Sequence, residues 1–258
     1  MTKIEWTQTI DKKGNKTKGK SWNPITGCTQ ISKGCRSCYA KVMHKRLKGM
    51  GKKKYQFDFK KVIFHESELT IPATWKKPRK IFVCSMSDLF HEKVEDRQIR
   101  AILGIIEVNP QHTFQLLTKR AERLPNFVYP SNVWLGVTIE HNDYVKRADY
   151  LRKTNAKVKF ISAEPLLGYL IDIILTDINW VIVGGESGPK TKVRRMHYPW
   201  VRHLKDKIDR YDNIRFFYKQ GGSHNQCHSF VKEYHKDDPG CNSKGCKILD
   251  GRVWEELP

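Results

Sequence analysis

The feature that most constrains this chain is a repeated alternation of short apolar runs with helical stretches. The runs are Lys61–His65, Lys80–Ser85, Thr113–Thr118, Asn132–Ile139, Lys157–Ser162, Trp180–Gly184 and Ile214–Tyr218. Each is mostly Val, Ile, Phe, Leu or Trp, the composition of strands buried on both faces. Amphipathic segments at Arg97–Val108, Asp143–Lys153 and Tyr198–Asp209 fall between them. Strands that alternate with helices pair in parallel, because each crossover returns the chain to the same end of the sheet. A further short run at Lys20–Asn23 makes eight, which predicts an α/β fold, a (β/α)8-type TIM-like barrel, complete or incomplete. A doubly wound open sheet would carry a glycine-rich phosphate fingerprint after its first strand, and none is present. Residues 1–220 are assigned to the barrel. Residues 221–258, rich in His, Cys, Gly and Asp, are assigned to a loop-rich C-terminal appendage over one end of it.

The chain holds 48 Lys and Arg against 27 Asp and Glu, a net charge of +21. Of these, 17 cations and only 3 carboxylates fall in residues 1–61. So basic a block points to a polyanionic partner, DNA or RNA. No apolar run approaches the ~20 residues of a membrane span, so no membrane partner is expected. The N-terminal MTKIEWTQTI lacks the apolar stretch of a secretory signal. The expected location is the cytoplasm, where 7 cysteines are reduced thiols or ligands rather than disulfides.

Three of those cysteines, Cys28, Cys35 and Cys38, lie in a loop with two glycines and no apolar periodicity. Three thiolates can each hold one iron of a cubane cluster and leave the fourth iron open. A closed zinc site needs a fourth ligand, for which His44 is spaced; the chain would then be a non-enzymatic nucleic-acid binder. Trp22 reads as a core residue and Asn23 as a brace for this loop. Cys84 reads as a small buried hydrophobe. Cys227, Cys241 and Cys246, near His224, His228 and His235, do not match the paired spacing of a zinc ribbon.

The ends of the predicted strands are polar: Ser85-Met86-Ser87-Asp88, Thr118-Lys119-Arg120, Thr138-Ile139-Glu140, Ser162-Ala163-Glu164, Gly184-Gly185-Glu186-Ser187 and Lys219-Gln220. In a barrel they converge on the C-terminal mouth, where sites are built. Charges placed there are costly unless paired or bound to a ligand, and helix capping explains one or two of them. The catalytic candidates are Glu140, Glu164, Lys119 and Arg120. The cofactor-binding candidates are Ser85, Ser87, Asp88, Thr138, Gly184, Gly185 and Glu186. Glycines permit close backbone approach to a ligand, and a Glu can accept from an amine or ribose hydroxyls. Arg194-Arg195 read either as an anion clamp or as a solvated pair.

The stretch Trp22-Asn23-Pro24-Ile25-Thr26-Gly27-Cys28, with Gly34-Cys35-Arg36-Ser37-Cys38-Tyr39-Ala40, resembles the opening of a phage-associated three-cysteine-motif family, itself similar to radical S-adenosylmethionine (SAM) enzymes. The likeness runs on through Phe82–His91, Leu117–Arg120, Trp134–Thr138, Ser162–Leu166 and Gly184–Gly188 to Gly251-Arg252-Val253-Trp254. It implies that Cys28, Cys35 and Cys38 ligate a [4Fe–4S] cluster whose open iron binds S-adenosyl-L-methionine. It further implies that an electron donor such as flavodoxin or ferredoxin triggers cleavage to a 5′-deoxyadenosyl radical, which modifies or repairs a nucleic-acid base or nucleotide. The gap between the first two cysteines, Cys-x6-Cys, exceeds that of the common CxxxCxxC loop, and a longer loop costs little.

Overall fold

The computed structural model describes residues 5–7, 9–10, 16–17, 19–224, 241–242, 245–250 and 252–258. Seven strands share one sheet: β1 (Lys20–Trp22), β2 (Lys80–Val83), β3 (Thr113–Thr118), β4 (Val133–Thr138), β5 (Val158–Ala163), β6 (Trp180–Gly184) and β7 (Arg215–Gln220). Every neighbouring pair is parallel, and the spatial order is the sequence order. Helices α1 (Tyr39–Gly49), α2 (Asp96–Glu107), α3 (Arg147–Arg152) and α4 (Tyr198–Ile208) follow β1, β2, β4 and β6. The β3–β4 crossover carries only a 3-10 turn at Ala121–Asn126. In α2 a Glu95–Gln98 capping box starts the helix, and Ile99, Ile102, Leu103 and Ile106 bury one stripe.

Residue alternation sorts the strands into two faces. Ile81 and Val83 join the main core under the helices, whereas Phe82, Phe160, Trp180, Ile182 and Phe217 form a second, aromatic cluster with Trp6. Trp6 lies 6.3 Å from the Phe82 ring of β2, while Lys219 Nζ of β7 sits 4.5 Å from the Trp6 ring. In a flat sheet these strands would stand about 24 Å apart, at ~4.8 Å per strand, with side chains projecting side by side. One indole bridging them requires a strongly curled sheet. β1 and β7 do not pair with each other, so the fold is an incomplete TIM-like barrel.

The predicted eighth run, Lys61–His65, is not in this sheet. It supplies only Ile63–Phe64, paired antiparallel with Ile25–Thr26. His65 N also donates to Pro24 O at 2.7 Å. Only short 3-10 turns and no crossover helix separate it from β2, so the chain stays beside the segment leaving β1. The β7 edge is shielded instead by the C-terminal segment: Tyr218 N donates to Trp254 O at 2.8 Å and Glu256 N to Phe216 O at 3.2 Å. Backbone pairing joins Cys241–Asn242 to Gly245–Cys246. Cys227, His228 and His235 lie outside the described residues. Among the described residues, no helix is long and apolar enough to cross a membrane.

Candidate functional site

All seven strands run the same way, so the loop after β1 and the polar ends of β2–β7 meet at one rim. The cysteine loop begins at Gly27, whose φ of +85° and contact with the Lys61 carbonyl leave no room for a side chain. Gly27 N donates to Met86 O at 3.1 Å and Cys28 N to Phe59 O at 2.8 Å. Asn23 Oδ1 accepts from Ser85 Oγ at 3.0 Å and Met86 N at 3.1 Å, and Ser87 Oγ donates to Gly27 O at 2.5 Å. Lys33–Cys35 make one 3-10 turn, and Cys38 occupies the N-cap position of α1. Cys28, Cys35 and Cys38 are free and half-buried. Burial, then the Asp88 carboxylate, push the Cys28 thiol up to about 12, with Arg120 opposing them.

Three ion pairs, each from a different strand end, seize this loop. Asp88, after β2, is 7% exposed and Arg120, after β3, is 5% exposed. The Asp88 carboxylate accepts from Thr118 Oγ1 at 2.7 Å, Lys119 N at 3.1 Å and Arg120 NH1 at 3.3 Å. The rest of the Arg120 guanidinium is also spent: Nε donates to Glu92 at 2.9 Å, NH1 to Cys28 Sγ at 3.7 Å, and NH2 to both Thr29 O and Thr29 Oγ1 at 3.0 Å. Glu140, after β4, is 0% exposed. It accepts from Arg147 NH1 at 2.9 Å, Gly34 N at 3.3 Å and Ser32 Oγ. Glu186, after β6, accepts from Arg194 N at 2.7 Å and from the Arg194 guanidinium, whose NH2 also donates to Lys33 O at 3.0 Å.

The candidate residues therefore separate. The side chains of Ser85, Ser87, Asp88, Arg120, Glu140 and Glu186 are bonded to the loop, directly or through one partner, rather than presented to the mouth. Gly184 makes room for the protein's own Glu164, whose Oε1 fills the position a Cβ would take, and Gly185 packs on the Gly221 backbone. Thr138 is buried, and its carbonyl accepts from Arg147 NH1 at 2.8 Å. Glu164 and Lys219 form a different arrangement. They pair at 3.1 Å, continue the phase of Phe160 and Phe217 onto the concave face, and remain partly exposed. Lys119, two positions beyond Leu117, shares that phase and is half-buried. Sequence reasoning did not single out Glu92, Arg147, Thr29 or Ser32; of the two readings it gave Arg194, the clamp matches the structure, with the Glu186 carboxylate as the anion. Arg147 carries a usable signal: a cation on an α3 face otherwise made of Ala148 and Leu151.

A Cys3His arrangement would have to use Nδ1 of His44, which is buried without a hydrogen-bond partner among the described residues. That ring packs edge-on between Tyr55 and Phe59, and its Nε2 donates to Phe57 O at 2.8 Å. A tetrahedral zinc gathers its sulfurs onto a shell of about 2.3 Å. Among the described residues, no three His, Cys, Asp or Glu are drawn together to hold one ion. A cubane spreads three thiolates over three irons; the three thiols here are free and half-buried, on a loop packed closely at Gly27 and Gly34. A Cβ on Gly34 would lie 2.7 Å from Glu140 Oε1.

A family model described as "Protein of unknown function (DUF5131)" matches residues 1–258. No curated protein sequence matches the chain. Among solved structures, a match is found to a spore photoproduct lyase complexed with dinucleoside spore photoproduct, at 11% identity and a TM-score of 0.40. It covers 81% of this chain and 66% of that one, just under two thirds of its length. So shallow a likeness carries neither fold nor activity across.

Proposed function

The chain belongs to this family over residues 1–258, and we propose that it is a radical SAM-type [4Fe–4S] enzyme that modifies or repairs a nucleic-acid base or nucleotide. One observation carries the reading: three free thiols sit on a loop that two buried ion pairs and a half-buried third fix to the mouth of an incomplete parallel barrel. So much buried charge spent on one exposed loop is explained if the loop must hold its shape for a cluster. Cys28, Cys35 and Cys38 would ligate it. Bound there with S-adenosyl-L-methionine, the cluster would supply one-electron cleavage of a sulfonium, drawing on an external donor such as flavodoxin or ferredoxin.

The chain's own residues divide the remaining work. Arg120 donates to Cys28 Sγ and ties Thr29 down, Glu140 fixes Ser32 and Gly34, and Arg194 holds Lys33 O. These are positioning residues. Glu164, Lys219 and Lys119 face the concave interior and are the groups assigned to ligand contact. The aromatic cluster beneath them excludes water from the barrel floor.

The test is anaerobic reconstitution with iron and sulfide, followed by iron and zinc analysis and spectroscopy with and without S-adenosyl-L-methionine. The expected result is a brown protein with about four irons per chain, whose reduced-cluster resonance shifts when S-adenosyl-L-methionine is added. A colourless protein holding a single zinc would overturn the proposal.

A further inference from the structure

The exposed side chains of α1 and of the turns after it lie outside the ion pairs that hold the cysteine loop. Residues 39–61 carry eight exposed Lys and Arg, against Asp58 as their single carboxylate. Asp58 is used locally, accepting from Lys60 N at 2.8 Å. Lys54 is the member of this stretch with an ion pair, to Glu68 at 2.8 Å. Among the described residues, the exposed cations have no carboxylate at ion-pair distance. Ala40 and His44 bury the opposite side of α1. Lys41, Lys45 and Lys48 then recur at i, i+4 and i+7, which aligns them in one stripe about 10 Å long. The stripe starts one turn from Cys38, and Lys52 and Lys53 extend it beyond the helix. Phe57, 45% exposed and with Lys61 Nζ 4.7 Å from its ring, offers a surface on which a base can stack.

We infer that this face binds the phosphate backbone of a polynucleotide, so that the enzyme acts on a base within a strand rather than on a free nucleotide. The inference rests on the proposed function and names its substrate class. A free nucleotide needs two or three cations converging on one pocket. Here Lys41, Lys45 and Lys48 spread over about 10 Å of one helix, which matches roughly three phosphates at ~3.4 Å per nucleotide of one strand. An acidic protein would satisfy the same charges, but the linear i, i+4, i+7 repeat matches the regular phosphate spacing of a strand.

The test uses the full chain and a fluorescein-labelled oligonucleotide, single-stranded and duplex, in DNA and RNA versions. Binding is followed by anisotropy over a salt series, and bound iron is measured separately. Wild type should bind with a steep salt dependence. Lys41→Gln/Lys45→Gln/Lys48→Gln should reduce the log–log slope by about 2–3, at ~0.7–0.9 for each phosphate no longer neutralised, with iron content unchanged. A second variant, Lys52→Gln/Lys53→Gln, lies outside the helix and should reduce it by about 1–2. An unchanged slope in both variants would overturn the inference. So would polyglutamate or a free nucleoside triphosphate competing as well as the oligonucleotide at equal charge. Wild-type protein that carries full iron yet binds no oligonucleotide would sink this inference alone; wild-type protein that binds fully but takes up no iron would sink the enzyme.

Discussion

Glu140 gives the sharpest contest between a catalytic residue and a brace. Its carboxylate is 0% exposed and accepts from Arg147, Gly34 N and Ser32 Oγ. Glu140→Gln preserves the shape but removes the charge and turns one terminal acceptor into a donor. Arg147 NH1 and Gly34 N are both donors, so one of them must meet the new NH2 group head-on. Breaking a buried ion pair from one side costs about 3–5 kcal/mol. Arg147 keeps its bond to Thr138 O and its stack over Tyr144 at 4.3 Å, which places the cost at the low end. At about 2–4 °C per kcal/mol for a chain near this size, ~3 kcal/mol lowers Tm by roughly 6–12 °C. The assay is thermal melting of the iron-free protein, with iron uptake measured afterwards. Arg147→Met should cost a similar amount, and the double variant less than the sum of the two, with a coupling of about 0.5–3 kcal/mol. An unchanged Tm for Glu140→Gln, or strictly additive single variants, would refute the brace and return Glu140 to the reacting groups.

Cys35→Ala should leave Tm unchanged, because the thiol is half-buried and its one side-chain contact is Ser32 Oγ at 3.6 Å, yet it should abolish iron retention; full iron in the variant would put the ligands elsewhere. Gly184→Ala should lower Tm by overpacking, at about 1–3 kcal/mol, because its Cβ overlaps Glu164 Oε1; a wild-type melting curve would show that Glu164 is not held there. Burial keeps His112 below the usual histidine range, with Nε2 at 3.2 Å from Pro72 O. The unfolded chain then takes up the proton first, so this share of stability is complete above about pH 6.5 and is lost as pH falls below it, by at most ~1.4 kcal/mol per unit. In a series of melts at decreasing pH, His112→Phe should show a shallower decline than wild type; parallel declines would refute the assignment.

The parallel sheet was legible because the middles of β2 through β7 are buried on both faces and read as short, mostly apolar runs, most plainly Trp180–Gly184. Lys61–His65 misled because a short apolar run looks the same whether it joins the sheet or pairs locally, and only the missing crossover helix told them apart. The strand-end charges were legible as a group, but their individual partners were not. Asp88 and Arg120 meet across 32 positions, and Arg194, paired with Glu186, reaches Lys33 across 161. No local spacing encodes such partners. A buried charge announces only that it needs one; whether the partner is a ligand or the protein itself is decided by tertiary contacts.

That distinction bears on how the loop exists before any ligand binds. Holding a free loop in one conformation costs about 1–2 kcal/mol per residue, and a metal that had to order it would bind correspondingly more weakly. Here anchors fall at Gly27, Cys28, Thr29, Ser32, Lys33 and Gly34, and Cys38 begins a helix. Most of the ordering cost is therefore met by folding. The amides of Gly27 and Cys28, bonded to Met86 O and Phe59 O, should be protected from hydrogen exchange in the iron-free protein. Arg120→Leu removes the bonds to Thr29 and Cys28 and strands Asp88, so protection at Gly27 and Cys28 should fall by more than at the β4 amides. Exchange at the loop as fast as in an unfolded chain, with the sheet protected, would show that the ion pairs do not preform the site.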